Sequence, residues 1–133
     1  MRVITGIVLS TLTYLLLSVF LVLVVHACVP GGAEPDGRIV GRTSLILDLA
    51  VQGVACFAAG AVALAHAQGS VRRATGAMGG AIFSLVLAST VCFWSLVPDW
   101  YNEALLAMTF PFVALGAAWR RAARGGDAPA GVR

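Results

Sequence analysis

Charge is what this sequence has least of. Only 11% of its 133 residues are charged, six acidic and nine basic, where a soluble domain carries about 25%. So few charges cannot coat a globule of this size in water, which excludes an ordinary soluble domain. Lysine is missing altogether, and every basic residue is Arg. Together with the abundance of Ala and Gly, this reads as the coding bias of a GC-rich bacterium rather than as a functional choice. The formal charge of +3 is no nucleic-acid footprint, because the arginines sit at the ends of apolar runs, where a topology signal belongs.

Chemistry-bearing residues are equally scarce. Cys28, Cys56 and Cys92 lack the ligand spacing of a zinc site. A disulfide between Cys28 and Cys92 is disfavoured by the depth of Cys92, and Cys56 reads as a small packing residue. His26 and His66 lie near opposite faces, separated by most of a ~30 Å hydrocarbon core, so one haem cannot use both. The sequence has no Gly-rich phosphate loop and no nucleophile elbow. No cofactor is implied, and the chain is read as a non-enzyme.

What is present is hydrophobic, and it comes in long runs. Mean hydropathy is +0.92, and the apolar residues fall into four stretches at about 3–29, 44–67, 74–97 and 100–119. A helix needs about 20 residues to cross the core of a bilayer. Lipid offers no partner to an open backbone, so continuous runs of this kind span as helices. A barrel would need alternating strands of about ten residues, and none are visible. The sequence therefore predicts an all-α polytopic membrane protein: one domain of four antiparallel transmembrane helices in a bundle, followed by a tail at 120–133. Short connections (a polar loop after Pro30, the GSVRR turn at 69–73, and Pro98-Asp99) make successive helices antiparallel neighbours.

Orientation follows from the arginines. Arg2, Arg72, Arg73, Arg120, Arg121, Arg124 and Arg133 fall on one side, against Arg38 and Arg42 on the other. The positive-inside rule then places both termini in the cytoplasm of a bacterial inner membrane. Trp94, Trp100 and Tyr101 form the outer aromatic belt, and Trp119 anchors the inner edge with Arg120 and Arg121. The first run is longer than the 7–15 apolar residues of a secretory signal core, so it is expected to remain as an uncleaved helix. VHAC at 25–28 resembles a bacterial lipoprotein cleavage box with Cys28 as the acceptor, but His26 departs from that pattern.

Size and span number are similar to those of small multidrug exporters and small fluoride channels. The mid-helix Glu of the exporters is missing from YLLLSVFLVL at 14–23, and the Gly-rich opening motif of the channels is absent. The resemblance implies nothing further.

Two features carry functional expectations. Gly76, Gly80, Ser84, Ala88 and Cys92 recur every fourth residue in the third run. They form a small-residue seam that permits close helix approach. The second run has its own ridge, Ala55, Ala59, Ala63 and Ala67, and the two are expected to pack face to face. Pro111 is expected to kink the fourth helix and to free the carbonyl of Ala107.

The second feature is the set of intramembrane polar residues, each costly to bury. His26, Asp48, Gln52, Asn102 and Glu103 all map to the outer half, and they are a candidate set lining one outward-facing polar pocket. A bland reading competes for each. Asp99 serves as an N-cap, Glu103 complements a helix dipole, and Asp48 sits near a helix start capped by Thr43 or Ser44. The expected role is non-catalytic: a structural or interaction protein partnered by the lipid bilayer and by another membrane protein or further copies of itself, with no nucleic acid. The alternative is a small-solute or ion transporter using the pocket, with Asp48 and His26 as a charge pair.

Overall fold

A computed structural model describes residues 2–28, 41–66 and 71–126, with side-chain placement at all of these except 2, 3, 26, 66, 71–74 and 124–126. The described chain is helical throughout: α1 Arg2–Cys28, α2 Arg42–His66, α3 Val71–Phe93, a short 3-10 turn Trp94–Leu96, and α4 Asp99–Gly126. The polar loop after Pro30, the start of the GSVRR turn and Asp127 lie outside the described residues. Within that turn, Val71 already belongs to α3.

Three helices are long and apolar enough to cross a membrane, over Ile4–Val25, Arg42–Ala65 and Thr75–Leu96. α4 is not among these three. It is the longest helix, but Glu103 and Arg120 bracket its apolar stretch at 104–119. Sixteen residues rise about 24 Å, short of a ~30 Å core. Pro111 lies inside α4, which continues through it.

The helix starts also shift the capping assignments. The Pro98 carbonyl accepts from the backbone amides of Tyr101 and Asn102, so Asp99 occupies the first turn of α4 rather than capping it. At the start of α2, the Gly41 carbonyl accepts from the amide of Leu45. Thr43 and Ser44 are thus inside the helix, and Asp48 sits well past its first turn.

The helices do not pair as their seams suggest. α2 is central, with broad contacts to α4 and α1 and a narrow one to α3. Its ridge residues Ala55, Ala59 and Ala63 are buried, Ala55 and Ala59 within the core cluster with Tyr14, Cys56, Ile82, Val86 and Val113, while Ala67 lies outside the described residues. α2 and α4 approach closely. A Cβ on Gly60 would collide with the carbonyl of Val113, and one on Gly116 would collide with the carbonyl of Phe57. Only a hydrogen fits at those two points.

α3 presents the opposite of its expected face. Its inward stripe is Met78, Ile82, Val86 and Thr90, all buried and spaced by four. The small-residue seam runs alongside and points out: Gly76, Ser84, Ala88 and Cys92 are exposed, and a Cβ on Gly76 or Gly80 would meet nothing within 4 Å. The expected face-to-face packing of the α2 and α3 ridges is therefore absent. The physical reason is volume. α2 offers Ala and Gly, and the space beside it is filled by the bulky stripe of α3 rather than by a second thin one.

Candidate functional site

The polar residues of α2, α3 and α4 meet at one end of the bundle. Asp48 lies six residues into α2, a rise of about 9 Å, and Gln52 follows one turn later on the same face. From α4 come Tyr101 and Asn102, in its first turn. The last turns of α3 add Ser89 and Thr90. These six side chains, with Phe93, Val97 and Leu105, line a cavity of about 180 Å³.

Two hydrogen bonds between helices organise this end. The Tyr101 hydroxyl donates to Oδ2 of Asp48 at 3.4 Å, joining α4 to α2. The Tyr14 hydroxyl donates to Oε1 of Gln52 at 3.0 Å, joining α1 to α2. Each tyrosine is buried, so each ring packs in the apolar bundle while its one polar atom reaches the α2 stripe.

Several hydroxyls in the bundle are satisfied by their own helix. Thr13, Ser18, Ser84, Ser89 and Thr109 each donate to a carbonyl three or four residues earlier. Thr90 does not. Its Oγ1 is buried without a hydrogen-bond partner among the described residues, and so is Nδ2 of Asn102. Thr90 is 3% exposed and Asn102 1%. Leaving such groups bare costs about 1–3 kcal/mol each. Both line the same cavity as Asp48, which is 8% exposed. Ser10 of α1 is also buried without a partner but does not line this cavity.

Of the five expected pocket residues, the structure brings together Asp48, Gln52 and Asn102. Glu103 is exposed and lies outside the lining. The side chain of His26 lies outside the described residues, and with it the expected pairing to Asp48. Tyr101 is corrected from a belt residue at the surface to a buried donor at the site, while Trp94 and Trp100 are exposed. Sequence reasoning missed Tyr14, Ser89 and Thr90. The available signal was the Ser89-Thr90 pair interrupting the apolar run at the depth of Asp48. Cys56 is buried, Cys28 and Cys92 are exposed, and all three are free thiols. Among the described residues, no group of three His, Cys, Asp or Glu side chains converges as a metal site.

The arrangement can hold one small ligand with mixed polarity. Asp48 supplies acceptor oxygens, Asn102 an amide donor, and Thr90 a hydroxyl able to do either. No family model, curated protein or solved structure matches the chain.

Proposed function

We infer that this chain is a small integral membrane protein whose intramembrane polar cavity binds a small solute, cationic or hydroxylated on the side that meets Asp48. One observation carries the reading: an acidic side chain and two buried polar groups without hydrogen-bond partners among the described residues line one cleft between apolar helices. Buried polar groups in such a setting are expensive, and ligand contact is what offsets that cost. The bundle is read as four spans. α4 completes it as a short span whose ends are carried by Trp100 at one end and by Trp119, Arg120 and Arg121 at the other. Both termini are placed in the cytoplasm of a bacterial inner membrane by the arginine bias, which puts the cavity in the outer half. The role is non-catalytic binding, and passage of the solute across the membrane is its natural extension.

A panel of ammonium, methylammonium, glycine and glycerol, tested by thermal unfolding in detergent, addresses this reading. A ligand at about 100 times its dissociation constant raises stability by about 2.7 kcal/mol. At least one of these compounds should raise Tm in the wild type and not in Asp48→Asn. Equal responses in both proteins, or none from any compound, would remove the cavity from the function.

A second reading, self-association or docking to a membrane partner, is favoured by the outward small-residue face of α3. Its test is the effect of Gly80→Leu on assembly size by light scattering in detergent.

A further inference from the structure

A second and larger concavity lies at the opposite end of the bundle, between the start of α3 and the C-terminal half of α4. The two helices touch where the Phe83 and Phe110 rings meet, with centroids 5.2 Å apart, and where Phe110 fills the space above Gly79. Past that point they part. Thr75 and Gly76 of α3 and Ala114, Ala118 and Ala122 of α4 leave a groove of about 750 Å³ between them. Phe110 closes one end and Arg121 stands at the other.

We propose that this groove seats one acyl chain of an anionic phospholipid, with the Arg121 guanidinium at its phosphate. Three observations support this occupant. The first is length. From Phe110 to Ala122 α4 advances about 18 Å at 1.5 Å per residue. This is close to the depth of one leaflet of a ~30 Å hydrocarbon core, so a chain lying in the groove puts its headgroup level with Arg121.

The second is charge. Arg72 and Arg73 occupy the first turn of α3, and Arg120 adjoins Arg121 on α4. The acidic residues among those described, Asp48, Asp99 and Glu103, all belong to the other end of the bundle. Basic pockets between helices at the cytoplasmic level select anionic headgroups, and an Arg fork matches a phosphate in two places.

The third observation weighs against a second copy of the chain. Copies in one membrane share orientation, so a two-fold axis along the bilayer normal would set this arginine cluster against its own duplicate. Like charges at a closing interface oppose it. A lipid phosphate brings the complementary sign.

The test uses the full chain, delipidated in detergent and titrated with phosphatidylglycerol or phosphatidylcholine, with adducts counted by native mass spectrometry. Wild type should carry one phosphatidylglycerol and prefer it over phosphatidylcholine about fivefold for the one Arg contact. Arg121→Gln should remove the preference and keep chain binding. Ala118→Phe should lose both lipids, because the ring would occupy the groove. Arg121 and Ala118 are exposed, and helical circular dichroism confirms that each variant folds. Equal retention of the two lipids by wild type, or undiminished phosphatidylglycerol on Ala118→Phe, overturns the proposal. So does glycerol phosphate competing as well as the whole lipid, or a wild-type dimer without lipid that Ala118→Phe dissociates.

Discussion

The hydroxyl of Tyr101 reaches Oδ2 of Asp48 across the α2–α4 interface at 3.4 Å. Hydrogen bonds between membrane helices are worth about 0.6 kcal/mol on average and at most about 1.7. Tyr101→Phe should therefore cost under about 1 kcal/mol, read by unfolding in mixed micelles. Asp48→Asn keeps the shape and should cost a similar amount, while abolishing the Tm response to cationic ligands. A large stability loss in Asp48→Asn would mean that the carboxylate is a structural strut.

Thr90→Val replaces a buried hydroxyl by a methyl group of nearly the same size. Its Oγ1 lacks a protein partner among the described residues, so the apolar variant should match or exceed wild-type stability by up to about 1 kcal/mol. Ligand affinity should fall severalfold in isothermal titration. A stabilised variant with unchanged affinity would show that the ligand avoids this side of the cavity.

Two glycine substitutions should behave in opposite ways. Gly60→Ala forces a methyl group against the Val113 backbone, and overpacking of that kind costs about 1–3 kcal/mol. Gly80→Leu points away from the bundle, where nothing lies within 4 Å, so its effect on unfolding should stay within about 0.5 kcal/mol. Chemical denaturation of the two variants side by side measures the contrast. Equal losses would contradict the outward orientation of α3.

Accessible thiols check the topology. Cys28 and Cys92 are exposed and Cys56 is buried. In intact cells a membrane-impermeant maleimide should label Cys28 without permeabilisation, while Cys56 stays unmodified. Alkaline carbonate should leave the protein in the membrane fraction. Labelling of Cys28 only after permeabilisation would reverse the orientation.

Much of the architecture was legible because lipid solvation is a coarse demand. A long uncharged run reads as a helix whatever its neighbours are. What packs against what was less legible. The four-residue period of Gly76, Gly80, Ser84 and Ala88 shows that one face is thin. It does not show which partner fills it, and the parallel stripe of Met78, Ile82 and Val86 proved to be the inward one. At the site, Asp48 and Gln52 were found because their spacing puts them on one face, and Asn102 because polar residues in apolar runs stand out. Glu103 was grouped with Asn102 by adjacency, yet neighbours on a helix point about 100° apart, and it falls outside the cavity. Tyr14 and Tyr101 were hidden by amphipathic chemistry, since a tyrosine suits an interface belt as well as a buried bond.

One close contact joins Gly60 of α2 to Val113 of α4, two helices that are not consecutive in the chain. α4 is the last of them to leave the ribosome. On the four-span reading, α2 waits in the bilayer during synthesis with its glycine notch open until α4 arrives. A nascent protein stalled before residue 113 lacks its lock, and quality-control proteases should see that intermediate as unassembled. On that reading, the order of translation sets when this protein becomes stable.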